Sequence, residues 1–167
     1  MTASRLSSRA KVLLLAAMLA GTGLAVLRPQ ERVLYNPSDS IPKGFYVRDS
    51  TEPAPGSIVA IRAVDAAPAY STTRNFTGPG HRFLKRIAGM EGDTICAEGS
   101  TIRINDVPVA ERAEADPAGG PLPAWSGCVT LSGGEVFLLG DHPGSFDGRY
   151  WGISQQADLT GPWRPVR

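Results

Sequence analysis

The chain has 167 residues and a formal net charge of +1, and 42% of its residues are hydrophobic. That is enough for one domain with a real core after a short N-terminal segment. Arg5, Arg9 and Lys11 hold three of the 17 basic groups, so the remainder is slightly acidic against 16 Asp and Glu; no basic patch points to nucleic acid, and no CxxC or metal-ligand cluster is present.

Residues 1–11 form a basic N-terminus. Val12 to Leu27 is a run of apolar and small residues broken only by Thr22. At about 16 residues and 1.5 Å per residue it would be roughly 24 Å long as a helix, short for a bilayer core but spannable by thinning and snorkelling. The competing reading is the core of a cleaved signal peptide. The expectation is a transmembrane anchor at 12–27, with the basic end cytoplasmic and residues 28–167 on the outer side.

Asn36-Pro37-Ser38-Asp39-Ser40-Ile41-Pro42-Lys43-Gly44 follows. Two prolines fix φ, Ile41 is biased toward an extended conformation by Pro42, and Gly44 permits unusual geometry, so Ser40 could be presented rigidly. An ordinary polar loop of turn residues is the alternative.

Ser57–Arg62 reads as a strand, and Asp65 to Gly80, rich in Ala, Pro, Ser and Thr, as a long loop. In the strand at Phe83 to Gly89, period-two alternation places Phe83, Lys85 and Ile87 on one face and Leu84, Arg86 and Ala88 on the other. Apolar neighbours disfavour the charged amine and lower its pKa, which suits a general base near neutral pH, and Arg82 and Arg86 are expected to push the same way. A lysine that snorkels to solvent is the other reading.

Thr101 to Val109 reads as a hairpin turning at Asn105-Asp106, with Pro108 marking an edge. Cys96 and Cys128 allow one intramolecular pairing; in an exported domain they would form a disulfide, and otherwise two small buried hydrophobes. The bridge would close a loop of about 33 residues and contribute roughly 3 to 4 kcal/mol. Ala113 to Gly127 reads as a second long loop and Glu135–Leu139 as a strand. Trp125, Trp151 and Trp163 suit packing in the core or loops, or a seat at a membrane interface.

Other chemistries fit less well. His81 and His142 are too few for a histidine site, Asp141-His142 near Ser145 is not a triad arrangement, and Gly144 to Gly148 is not a Gly-x-Ser-x-Gly elbow. Gly78-Pro79-Gly80 lacks the features of a dinucleotide loop, so no cofactor is expected.

Three motifs occur together: Asn-x-Ser-x-Ser-Ile-Pro-x-Gly at 36–44, Lys-Arg-x-x-Gly-x-x-Gly-Asp at 85–93, and Gly140-Asp141 followed by Ser145-x-Asp147-x-Arg149-Tyr150-Trp151-Gly152. In this order they resemble the signal peptidase superfamily, and with one residue between Ser40 and Pro42 most closely its conjugative-transfer branch, the TraF-type peptidases. Glu91 departs from the family's more usual proline, and His142-Pro143-Gly144 is shorter than its asparagine-rich stretch.

The resemblance implies an all-β, mainly antiparallel fold and a Ser/Lys dyad with Ser40 as nucleophile and Lys85 as general base. Ser38 would add its hydroxyl to the Ser40 backbone N–H in an oxyanion hole, Ser145 would orient Lys85, and Asp147 with Arg149 would form a structural ion pair. Exposed charges in a turn are the other reading of that pair. The implied partners are a membrane-inserted, pilin-like precursor, the bilayer of a bacterial inner membrane, and other parts of a conjugation or secretion apparatus, with the catalytic domain in the periplasm. A general type I signal peptidase and a non-catalytic β-scaffold are the alternatives. A cytosolic self-cleaving repressor is disfavoured by the apolar N-terminus and the lack of a DNA-binding domain.

Overall fold

Ile58-Val59-Ala60-Ile61 is buried at all four positions, as β-branched and small apolar residues are in a strand covered on both faces. This strand lies at the centre of a seven-stranded antiparallel sheet. The computed structural model describes Ser7 and residues 31–166. Within them run β1 (Val33–Asn36), β2 (Gly44–Arg48), β3 (Ile58–Arg62), β4 (Arg82–Gly89), β5 (Thr94–Glu98), β6 (Thr101–Ile104), β7 (Val107–Glu111), β8 (Gly127–Thr130), β9 (Glu135–Leu139), β10 (Ile153–Gln155) and β11 (Leu159–Pro165).

The large sheet has the order β1-β2-β11-β3-β4-β9-β10, and a second sheet the order β7-β6-β5-β8. The C-terminal strand thus lies between β2 and β3, pairing antiparallel with each. Alternation along β3 and β4 sorts the core. Ile58, Ala60 and Leu84 pack with Leu34, Ile41, Tyr46 and Trp163 on one face; Val59, Ile61 and Ile87 pack with Val136 and Leu138 on the other. Phe137 of β9 joins Ile95, Ala97, Ile102 and Leu131 of the second sheet region. The chain comes close there, since a Cβ on Gly89 would lie 2.9 Å from the Ile95 Cδ1.

The strands expected at Ser57–Arg62, Phe83–Gly89 and Glu135–Leu139 are present within a residue at each end. In the hairpin of β6 and β7, Asn105 and Asp106 both take positive φ, 50° and 65°, as a two-residue turn matched to strand twist requires. Pro108 sits on β7, an outer strand, where its missing N–H costs no ladder bond. One expectation needs correction. The segment from Asp65 to Gly80 is not all loop, because short helices run over Ala63–Ala66 and Pro68–Thr73. Pro68 begins the second, where a missing N–H is tolerated. The buried Ser71 hydroxyl donates to the Ala63 carbonyl at 2.7 Å and ties the pair together. Ala113 to Gly127 has only an isolated bridge between Ala115 and Pro121 before β8 begins.

All three tryptophans are used in packing. Trp163 is in the core, Trp151 packs against the cluster of Val59 and Leu138, and Trp125 donates from its indole to the Gly148 carbonyl at 2.9 Å. The anchor expected at 12–27 lies outside the described residues. Among the described residues no helix is long and apolar enough to cross a membrane.

Cys96 and Cys128 face each other across β5 and β8 and are joined by a disulfide, with Cα atoms 4.0 Å apart. β8 is exposed along its whole length, so the bridge secures an outer strand that buries little. Freshly isolated protein should therefore yield no alkylated cysteine until reduced, and reduction should lower unfolding stability by about 3 to 4 kcal/mol in a denaturant titration.

Candidate active site

Lys85 lies in the middle of β4, opposite Val59 of β3, and is 1% exposed. Alternation gives it the apolar face of Val59, Ile61 and Ile87, and its Nζ stands 5.5 Å from the centroid of the Phe83 ring. Burial pushes the amine down to about 8, with Arg149 adding to the depression and Asp147 and Asp141 opposing it. The snorkelling alternative does not hold. Nor do Arg82 and Arg86 supply the extra positive field; they lie on the other face of the strand by alternation. Arg86 forms a bidentate pair with Asp141, at 2.7 and 2.9 Å.

Two hydroxyls meet the amine. Lys85 Nζ donates to Ser40 Oγ at 2.7 Å and to Ser145 Oγ at 2.9 Å, and Ser145 Oγ donates to Ser40 Oγ at 3.1 Å. The three groups form a closed triangle. An amine whose pKa is lowered by burial, in hydrogen-bond reach of a half-buried serine hydroxyl, can serve as a base toward it.

Ser40 belongs to the turn between β1 and β2. Ile41, fully buried in the core beneath it, anchors the turn from one side. The Tyr46 hydroxyl donates to the Pro42 carbonyl at 2.6 Å from the other. Asn36, the first residue of the motif and one to which the resemblance assigns no role, is buried beside the turn and bonds through its carboxamide to Ser38, Ile41 and Pro42. Its signal in the sequence is that of a turn-forming Asn before Pro-x-Asp, which says nothing of how many partners it gathers. Ser38 is exposed, and its hydroxyl donates to Asn36 Oδ1 at 2.8 Å.

Ser145 sits in the loop after β9 and is 4% exposed. That loop is built around Asp147 and Arg149, both buried. Arg149 donates from Nε and Nη2 to the two carboxylate oxygens of Asp147, at 2.9 and 2.8 Å. Its guanidinium also donates to the carbonyls of Gly140, His142 and Pro143, while Asp147 accepts from the Gly140 N–H at 2.8 Å. The pair is thus an internal strut, not a pair of exposed turn charges. The Asp141 N–H donates to the Ser40 carbonyl and closes the loop onto the serine turn. Gly140 allows this approach, because a Cβ there would overlap Ser145 Oγ and come within 2.8 Å of the Ser40 carbonyl oxygen.

Among the described residues no group of three or more His, Cys, Asp or Glu side chains could hold a metal ion. A cleft of about 670 Å³ lies between the helix at Pro68–Thr73, residues 120–123 and Tyr150-Trp151, and its lining includes neither Ser40 nor Lys85. It borders the site through Tyr70, Tyr150 and Trp151, whose rings lie against Phe146 with centroids 3.7, 5.3 and 5.5 Å away.

Residues 6–166 match the family described as signal peptidase, peptidase S26. A plasmid transfer protein TraF of Escherichia coli is 30% identical over 142 residues, spanning 78% of this chain and 80% of that protein. Another Escherichia coli plasmid transfer protein TraF is 36% identical over 87 residues, 50% of this chain and 49% of its own length. A probable signal peptidase I-2 of Synechocystis sp. is 30% identical over 112 residues, 66% of this chain and 46% of that protein. The chain therefore spans about half the length of two of these relatives and four fifths of the third.

Removing one member of the buried ion pair leaves the other charge uncompensated. Arg149→Leu should lower unfolding stability by about 3 to 5 kcal/mol in equilibrium denaturation. Arg62→Leu, which breaks the exposed pair with Asp65, should leave the midpoint close to that of the parent protein.

Proposed function

The chain belongs to the signal peptidase family, peptidase S26, and on that premise we propose that it is a membrane-anchored serine endopeptidase with Ser40 as nucleophile and Lys85 as general base. The observation that carries this reading is the 2.7 Å approach of Lys85 Nζ to Ser40 Oγ at a buried position, where burial pushes the amine down to about 8.

In the proposed mechanism the neutral amine takes the Ser40 proton as Oγ attacks the scissile carbonyl carbon. The developing oxyanion is met by the Ser40 N–H and the Ser38 hydroxyl. Lys85, now an ammonium, returns the proton to the leaving amine, and an acyl-enzyme on Ser40 remains. A water molecule, deprotonated by the same amine, attacks the ester and restores the serine. Ser145 keeps the amine aimed at Ser40 through the other two sides of the triangle.

The likeness to the two plasmid transfer proteins favours a pilin-like, membrane-inserted precursor of a conjugative or type IV secretion system as substrate. The basic N-terminus and apolar run at 12–27 support an inner-membrane anchor, and the Cys96–Cys128 bridge supports a periplasmic domain. The likeness to a probable signal peptidase favours a second reading, a signal peptidase of broad specificity. Processing of unrelated exported proteins by the purified chain would separate the two.

Ser40→Ala and Lys85→Ala should each leave thermal unfolding nearly unchanged and reduce precursor cleavage, Ser40→Ala to background and Lys85→Ala by at least roughly a hundredfold. Substantial cleavage by folded Ser40→Ala would end the peptidase reading.

The base must be unprotonated to act, and its pKa lies below the ordinary lysine value. Cleavage should therefore rise with pH through about 8 and level off above it. A rate profile that is flat across this range, or that rises only near the pKa of a free lysine, would remove Lys85 from the role of base.

A further inference from the structure

Asn36 is only 3% exposed, and its carboxamide is spent entirely on the turn that carries Ser40. Nδ2 donates to the carbonyls of Ser38 at 3.0 Å, Ile41 at 2.9 Å and Pro42 at 3.1 Å. Oδ1 accepts from the Ser38 N–H at 3.1 Å and from the Ser38 hydroxyl at 2.8 Å. Residues on both sides of Ser40 are therefore tied to one planar group. With two N–H protons and three carbonyls, one proton must be shared.

A hydroxyl has a single proton to give. In the resting site that of Ser38 goes to Asn36 Oδ1, whereas stabilising an oxyanion requires that it be given to substrate. The two acceptors compete. If the Ser38 hydroxyl rotates away, Oδ1 still holds the Ser38 N–H, so no buried acceptor is left without a partner and the exchange is inexpensive.

We propose that Asn36 is a positioning residue of the reaction that acts through Ser38: Oδ1 holds the Ser38 hydroxyl between turnovers, and Nδ2 keeps the turn fixed while that hydroxyl moves to the oxyanion. This deepens the peptidase reading and rests on it. An aspartate at position 36 would keep size and acceptor, lose all three Nδ2 bonds, and grip the Ser38 hydroxyl with a charge. It over-tightens the hold on the hydroxyl and removes the support of the turn, without emptying the space.

The test uses the full chain in detergent micelles and a synthetic peptide with an apolar run followed by an Ala-x-Ala site. Asn36→Asp should lower kcat roughly tenfold to a hundredfold with KM nearly unchanged, because the donor it perturbs acts on the transition state. In a Ser38→Ala background the same substitution should cost less, since its grip on the hydroxyl is gone and only the loss of the Nδ2 bonds to the turn remains. Equal factors in both backgrounds, or an unchanged kcat in Asn36→Asp, would overturn the proposal. Should Asn36→Asp fail to fold, the unaltered protein carrying a peptide boronate on Ser40 decides. The Ser38 Oγ should then lie on a boronate oxygen with the Ser38 N–H still on Asn36, and a hydroxyl remaining on Asn36 would overturn the proposal. Ser40→Ala is the control: cleavage by that variant would defeat the peptidase reading itself, whereas its inactivity beside a normal Asn36→Asp would defeat only the role of Asn36.

Discussion

An amine sealed from water at the middle of β4 is the constraint around which this fold is arranged. Burial disfavours the charged form of Lys85, and a carboxylate bonded to Nζ would reverse that by holding the ammonium in place. The structure offers hydroxyls instead, from Ser40 and Ser145. The two carboxylates whose fields favour the charged lysine are each clasped by an arginine, Asp147 by Arg149 and Asp141 by Arg86. Those pairs also do mechanical work: the first shapes the loop that brings Ser145, and the second holds the residue whose N–H reaches the Ser40 carbonyl. The same ionic contacts that assemble the site therefore leave the amine depressed toward neutrality.

The serine turn and the Ser145 loop come from distant parts of the chain, and neither is regular structure. Each is fixed by one polar side chain that gathers backbone groups, Asn36 for the first and Arg149 for the second. Both gatherers are buried, where a lost bond is costly because no water replaces it. Rigidity at the site thus comes from saturated hydrogen bonding in two loops set against an apolar strand.

Much of this was legible in the sequence, for reasons that differ by residue. Alternation through Phe83, Lys85 and Ile87 placed the lysine on an apolar face, since a two-residue period is a local property. Asn105-Asp106 declared its hairpin in the same way. The helices at 63–66 and 68–73 escaped because Ala, Pro, Ser and Thr carry no hydrophobic stripe; there the buried Ala63 and Ala67 matter for their smallness. The field of Arg149 on Lys85, the burial of Asp147 and the many bonds of Asn36 depend on contacts between segments far apart in sequence or on the closure of a turn. Neighbours of Lys85 in sequence, Arg82 and Arg86, were poor guides because successive residues of a strand face opposite ways.

The order of strands has a consequence for how the protein comes into being on the ribosome. The hairpin bearing Ser40 joins the rest of its sheet through β11, which lies between β2 and β3 although it is made more than a hundred residues after β2. A nascent chain can form β3, β4 and β9 early, yet the hairpin has no strand to dock against until Leu159–Pro165 has emerged. Docking of the Ser40 hairpin onto the sheet therefore waits on a strand translated more than a hundred residues after the hairpin itself.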